Sequence, residues 1–302
     1  MERDVTITVN RDLCTGCALC VRVCPTQTLS IVRDKATVTG RASIGCGHCE
    51  AVCPCGAIDV SSLTAETIRY STFTAERQWL PYGDHETASL VRLMASRRSC
   101  RNYLDRPVDR SLLEDLVRIG ITAPSGTSSQ CWTFTLLPTR GTVQALGSLI
   151  ASFFRGLNRK AANPLLRLVL KLAGRPELDD YYRTYLRQVE EALDAWDRTG
   201  CDRLFHGAPA VIIIGSTPGA STPTEDALLA TQNILLAAHS MGLGSCLIGY
   251  AVAAMKEDRS IQQRVGVPGE EGVHAVIALG YPDETYTTVC RRRQPSVRYF
   301  EG

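Results

Sequence analysis

The chain has 302 residues, 44% of them hydrophobic and 21% charged. That balance excludes wholesale disorder and supplies apolar material for about two domains of ~100–200 residues. A formal net charge of +2 gives no bulk electrostatic case for a nucleic-acid partner. No apolar run approaches the ~18–20 residues of a membrane span; the strongest, Leu165–Leu172, is interrupted by Arg167 and Lys171. Met1-Glu2-Arg3-Asp4 has no apolar stretch behind it and does not read as a secretory signal, so the expected location is cytoplasmic. Cysteine is the anomaly, with 13 in all and eight of them between Cys14 and Cys55.

In chain order, Val5-Thr6-Ile7-Thr8-Val9 alternates as a strand, and so does Ala36-Thr37-Val38-Thr39. Between them stands Cys14-Thr-Gly-Cys17-Ala-Leu-Cys20-Val-Arg-Val-Cys24-Pro25. This C-x2-C-x2-C-x3-C-P run is the cadence of bacterial iron–sulfur proteins, in which the fourth cysteine serves the other cluster. Structural zinc needs only two CxxC pairs and leaves the cadence unexplained. Disulfides suit exported proteins, and spacings of two or three residues suit them poorly. The segment resembles a two-cluster ferredoxin domain over about residues 5–60.

The second half departs from that pattern. Counting back from Cys53-Pro54 gives Cys49, Cys46 and then Ser43 where a cysteine should stand, while Cys55 is an extra thiol. The resemblance implies that Cys14, Cys17, Cys20 and Cys53 hold one 4Fe-4S cluster. Cys24, Cys46 and Cys49 then hold three corners of a second. Its last corner has three readings: Cys55 bends in, Ser43 supplies an oxygen, or the iron is missing and the cluster is 3Fe-4S. Cys55 is favoured, because a thiol lost and a thiol gained in one short segment suggest compensation; the plain alternative is a small apolar filler. A segment this small has little core of its own, so its folding is expected to be coupled to the metal.

The polar stretch from about Ser61 to Glu86, with Pro81-Tyr82-Gly83-Asp84, reads as a linker draped over the second domain. It divides the chain into an iron–sulfur domain at 1–62, a linker at 63–86 and a second domain at 87–302. Helical periodicity begins near Glu86 with Leu90, Leu93 and Met94. Asp109 is placed to cap a helix carrying Leu112, Leu113, Leu116, Val117 and Ile119, which stops before Pro124. A strand is expected at Thr133–Leu137, helices at 141–157, 163–173, 177–198 and 223–241, and further strands at Ala210–Gly215, Ser245–Ile248 and Val273–Leu279. Helices with interspersed strands and no βαβ period predict an α+β fold. No internal repeat is visible.

There is neither a Rossmann fingerprint nor a P-loop. Two arginine clusters stand out, Arg97-Arg98-Ser99-Cys100-Arg101 and Arg291-Arg292-Arg293, and arginine suits multidentate phosphate binding. Taken with Ala123-Pro124-Ser125-Gly126-Thr127-Ser128-Ser129-Gln130-Cys131-Trp132, Gly242-Leu-Gly244-Ser-Cys-Leu-Ile248-Gly249-Tyr250 and Leu279-Gly280-Tyr281-Pro282, they stand in the order found in FMN-dependent nitroreductases. Residues 88–302 resemble that family, and the whole chain resembles its ferredoxin-fused members. The resemblance implies that Arg97, Ser99 and Arg101 hold the FMN phosphate and the ribityl chain or ring edge, with Arg98 beside them. It places Pro124, Ser125, Gly126, Ser128 and Gln130 in a turn next to the flavin. Ile248 and Gly249 fall near its reactive edge, and Arg291 and Arg293 on the phosphate. Cys131 departs from the family's frequent proline before Trp132.

The resemblance also implies a homodimer with FMN at the interface. Phe153, Phe154, Leu157, Leu165–Leu172, Tyr181, Tyr182 and Tyr185 lie in an insertion that caps the flavin in the family, with plain helix packing as the bland reading. His48 flanks the cluster cysteines, and His206 is placed where it could line the pocket, with packing read ahead of catalysis. The expected function is relay of single electrons through the clusters to FMN and reduction of a small electrophile, either a nitro compound, a quinone or an activated double bond. The donor is ferredoxin or NAD(P)H. Oxidation of a substrate in the reverse direction, or an electron-transfer subunit or redox sensor without its own substrate, are the alternatives.

Overall fold

The computed structural model describes residues 4–302. Its N-terminal part contains β1 (Ile7–Val9), α1 (Leu19–Val23), β2 (Leu29–Val32), β3 (Lys35–Val38), α2 (His48–Ala51) and β4 (Ile58–Val60). β1 pairs antiparallel with β4, and β2 with β3. Ile7, Leu29, Ala36, Ile58 and Val60 form a small core, and Cys14, Cys20 and Cys49 are buried within it. An internal repeat that the sequence reading missed appears here: residues 14–28 and 43–57 form the same turn, short helix and turn. The cysteine, glycine and proline positions recur at one offset, and the backbone shape makes the repeat plain.

The rest of the chain comprises α3 (Thr87–Ser96), α4 (Arg110–Gly120), β5 (Trp132–Leu137), α5 (Arg140–Ala162), α6 (Pro164–Leu172), α7 (Glu177–Thr184), α8 (Leu186–Thr199), β6 (Ala210–Ser216), α9 (Pro223–Ser240), β7 (Gly244–Leu247), α10 (Gly249–Glu257), α11 (Arg259–Arg264) and β8 (Gly272–Gly280). One antiparallel sheet runs in the order β5-β6-β8-β7. Side chains alternate across a strand, and β6 is buried on both faces. Val211 and Ile213 enter one core with Ile150 and Met255. Ala210, Ile212 and Ile214 enter the other with Leu113, Leu116 and Ile234. Helices on both faces of a mixed-connection sheet give the expected α+β architecture.

Local chemistry accounts for several helix starts. Glu86 caps α3 by accepting from the Ala88 and Ser89 amides. Thr139 and Thr142 form a reciprocal capping box for α5, and Asn163 caps α6 ahead of Pro164. Asp109 stands at the N-cap of α4 but makes no side-chain capping bond, which corrects the expected cap. The predicted 177–198 helix is two helices meeting at Tyr185, whose ring sits edge-on to Tyr250 (6.3 Å). Arg167 of α6 lies over the Tyr182 ring at 3.4 Å, and Lys171 pairs with Asp179 at 3.4 Å, so both cations hold α6 against α7.

The stretch between the two parts is tied down at one point. The Ser71 and Thr72 amides and the Thr72 hydroxyl donate to the carboxylate of buried Asp115 on α4, at 2.7–2.9 Å, and Arg118 pairs with it at 2.8 Å. Burial alone pushes this carboxyl up, but these donors outweigh it and hold Asp115 below its ordinary value.

Candidate functional site

The repeat sets two cysteine-lined hollows side by side. Cys14, Cys17, Cys20 and Cys53 line one. Cys24, Cys46 and Cys49 line the other. The crossed sets are those implied by the cysteine spacing. Cys55 lines the first hollow, not the second, with its Sγ 3.7 Å from Cys53 Sγ. This corrects the favoured reading of Cys55 as the last corner of the second cluster. The reason is the turn itself: the residue two after each Cys-Pro cysteine folds back onto that cysteine's sulfur, as Thr26 does on Cys24 at 3.5 Å. Ser43, buried, lines the second hollow, and so does His48.

The hollows suit metal-bound thiolates. Backbone amides donate to sulfur at Cys14 (from Ala36, 3.4 Å), Cys24 (from Thr28, 3.3 Å) and Cys53 (from Ala57, 3.3 Å). At Cys24, burial raises the thiol, but bonds from Thr26 and Thr28 outweigh it and bring it down to about 7. Donors to the charged form favour the thiolate, the form that ligates metal. A single zinc ion needs its thiolates gathered on one point. Among the described residues no three His, Cys, Asp or Glu side chains gather so, whereas a cubane holds its four cysteines apart.

The second constellation is built on the free edge of β7. Ser99 forms a parallel bridge with Ser245, and the Cys100 amide donates to the Ser245 carbonyl (2.9 Å), which fixes the backbone of Arg97–Arg101. Arg97 is half-buried. Burial, then the like charges of Arg98 and Arg292, lower its pKa. No carboxylate among the described residues pairs with these three arginines. Unneutralised guanidinium groups packed this way favour an anion with several oxygens, such as a phosphate. Arg292 is the member of its triplet whose charge bears on Arg97; it is exposed, as are Arg291 and Arg293, the members singled out from the sequence. An irregular C-terminal segment has no period to single out one residue of three.

Beside this corner opens a cleft of about 680 Å³. Arg101, His206, Ile248 and Gly249 line one part, and Phe153, Tyr181 and Tyr185 form an aromatic wall. Ile248 is buried, its amide bonded to the Val276 carbonyl (2.9 Å), and it precedes α10 with no side-chain cap. A Cβ at Gly249 meets no atom of this chain, so packing within the protein does not demand glycine there.

His206 lines this cleft, as its position before Gly207 allowed. It has φ of +58°, which is strained for a non-glycine residue. Asp202 imposes the turn, accepting from the amides of Leu204 (3.0 Å) and Phe205 (2.8 Å) and pairing with Arg140 (2.7 Å). Burial, then Arg101, lower the His206 pKa, which keeps its imidazole neutral at pH 7.

The loop carrying Pro124, Ser125, Gly126, Ser128 and Gln130 lies elsewhere. Buried Asp226 of α9 holds it, accepting from the Gly126 amide (2.9 Å) and the Ser129 hydroxyl (3.1 Å), while Trp132 Nε1 donates to the Asp226 carbonyl (3.1 Å). A Cβ at Gly126 would stand 2.3 Å from Thr222 Oγ1, so this approach requires glycine. The loop enters β5 at Trp132, opposite Ser216, whereas Ser99 sits on β7 opposite Leu279 of β8. Three strand spacings, about 14 Å, and about 20 Å along the strands separate these diagonal corners. One chain does not bring the two predicted halves of the cofactor site together.

Comparison with known proteins matches both parts of the chain. The nitroreductase family model matches residues 94–281, and the 4Fe-4S binding domain model matches residues 7–30. The chain is 28% identical over 211 residues to the 4-nitrobenzoate reductase of Pseudomonas putida, covering 65% of this chain and 86% of that protein. It is 25% identical over 206 residues to an NADH dehydrogenase of Thermus thermophilus, covering 68% and 90%. An FMN-bound nitroreductase structure from Bacteroides fragilis superimposes with a TM-score of 0.51 at 20% identity, over 70% of this chain and 98% of that one.

Proposed function

The chain belongs to the nitroreductase family, and we propose that it is an iron–sulfur flavoprotein that carries single electrons through two N-terminal clusters to FMN and reduces a small electrophile. The observation that carries this reading is the arginine group without a counter-ion, Arg97, Arg98 and Arg292, beside the open cleft. These residues would hold the FMN phosphate, with Ser99 and Arg101 along the ribityl chain and ring edge and Ile248–Gly249 near the reactive edge. Bound FMN takes up electrons singly and delivers two as a hydride, the conversion needed between clusters and an organic substrate.

The chain's own part is placement and exclusion of water. Phe153, Tyr181 and Tyr185 supply flat apolar surface for a planar substrate. Neutral His206 offers a ring nitrogen for a substrate proton, and Arg101 steadies developing negative charge on a substrate oxygen. Nitro compounds, quinones and activated double bonds all develop such charge. An electron-transfer subunit without a substrate has no use for an open cleft of about 680 Å³, which favours the enzyme.

The diagonal split of the site supports a homodimer, in which the 124–130 loop of a second copy completes each arginine corner. Leu90, Val91 and Met94 on α3, Leu228 and Leu229 on α9, and Val297, Tyr299 and Phe300 near the C-terminus are exposed apolar surface that a partner copy would cover. Oxygen-labile clusters fit the cytoplasm. Among the described residues no helix is long and apolar enough to cross a membrane.

The test uses protein purified without oxygen and 4-nitrobenzoate as electron acceptor. Turnover is expected with a reduced ferredoxin as donor and is lost when Cys17 and Cys46 are replaced by alanine. Undiminished ferredoxin-driven turnover in that double variant overturns the relay. Absence of flavin in the purified protein overturns the flavoenzyme.

A further inference from the structure

Residues 14–28 and 43–57 correspond at a constant offset of 29 residues, position by position. Gly16 and Gly45 both have positive φ (+74° and +63°), as do Ala18 and Gly47 (+61° and +75°), and Gln27 and Gly56 (+53° and +61°). The helices α1 and α2 begin at corresponding residues, Leu19 and His48. Cys24 and Cys53 each accept an amide bond from the residue four later, at 3.3 Å in both copies. Thr26 and Cys55 each lie against the sulfur of the cysteine two before, so Cys55 is the counterpart of a hydrogen-bonding threonine.

Under the same correspondence Ser43 is the counterpart of Cys14. Both are buried, at 5% and 8% exposure. The Gly45 amide donates to Ser43 Oγ at 3.1 Å, and the Gly16 amide donates to the Cys14 sulfur. Ser43 shares its hollow with Cys24, Cys46 and Cys49, as Cys14 shares the other with Cys17, Cys20 and Cys53. The backbone therefore aims the Ser43 side chain where the fourth cysteine of a cluster stands.

Resting on the two-cluster reading above, we propose that Ser43 Oγ is the fourth ligand of the second cluster. As the iron–oxygen bond forms, the Ser43 O–H bond breaks; the proton passes to water and the iron keeps its oxidation state. One iron of this cluster then carries a hard oxygen ligand where the others carry sulfur. The two clusters become chemically unequal, and ligand identity is one of the levers that set cluster potential. Cys55 supplies an S–H group to the Cys53 thiolate of the first cluster and ligates neither.

The experiment compares the anaerobically purified full chain with its Ser43→Ala, Ser43→Cys and Cys55→Ser variants by iron content and electron paramagnetic resonance. The wild type is expected to hold about eight irons, Ser43→Ala about seven with the signal of an oxidised three-iron cluster, and Ser43→Cys about eight with one altered cluster spectrum. Cys55→Ser is expected to keep about eight. A Ser43→Ala protein with unchanged iron and spectrum overturns the assignment. Should that variant not fold, a Ser43→Cys spectrum identical to the wild type overturns it equally. A wild type with about seven irons removes Ser43 as a ligand while leaving two clusters, whereas about four irons removes the second cluster itself.

Discussion

The two parts of this molecule are held together by different means. Residues 87–302 have two apolar cores on either side of one sheet, with β6 buried along its whole length. The N-terminal part has one small core in which Cys14, Cys20 and Cys49 rank with Ile7 and Leu29 as buried residues. Where apolar side chains fill the interior, a cofactor is seated at an edge. Where thiols fill it, the cofactor is the interior. The large part is therefore expected to fold without its cofactor, and the small part to depend on its own.

Iron removal breaks that comparison most severely. Metal binding in small domains contributes on the order of 10 kcal/mol to folding. Anaerobic chelation should abolish hydrogen-exchange protection across β1–β4 and leave β6 and β8 protected. Equal loss in both parts would show one cooperative unit in place of two.

A smaller effect probes the edge site. Arg97→Ala should weaken FMN binding by about 2–3 kcal/mol, roughly 30- to 150-fold, as expected for a charge-assisted bond to phosphate. Gly126→Val should weaken it from the opposite corner by displacing the loop from Thr222. If each site draws on two copies, mixing the two variants equally restores about one quarter of the sites. A site within one chain restores none, and flavin fluorescence titration separates the cases.

The junction between the parts comes next. Asp115→Ala removes the acceptor that anchors the Ser71–Thr72 strap, with an expected loss of about 1–2 kcal/mol because the freed amides regain water. Proteolysis between 63 and 86 should accelerate. The Asp115 carboxyl is lowered in the folded state, so its contribution is full above the unfolded value of about 3.8 and is lost as the pH falls below it. Acid denaturation of Asp115→Asn should accordingly show a weaker pH dependence in that range. The smallest effect is Asp109→Ala, expected within about 0.5 kcal/mol by thermal melting, since no capping bond is lost.

Much of this was readable in the chain, for identifiable reasons. The crossed cysteine sets follow from ligand spacing, which the linear sequence carries directly. The strands β5, β6, β7 and β8 follow from apolar runs within a residue or two of their observed ends. The errors share a different cause. Cys55 looked like compensation for Ser43 because they are near in sequence, but the turn through Gly56 returns it to Cys53. Asp109 has the right residue type for a cap and the wrong side-chain placement. That the charge of Arg292 bears on Arg97, and that Asp202 turns His206 toward the cleft, depend on how irregular segments fold back, which no periodicity reports.

Sequence by itself therefore determined the iron–sulfur ligand pattern and the α+β architecture, because these rest on spacing and period along the chain, while the flavin and its half-site residues came from the resemblance to a family. Tertiary structure alone decided which hollow each thiol enters, that Ser43 is buried in the hollow of Cys24, Cys46 and Cys49, and that the arginine corner and the 124–130 loop lie at opposite ends of a sheet. Those outcomes depend on left-handed turns and strand register, which set distances between residues remote in the chain.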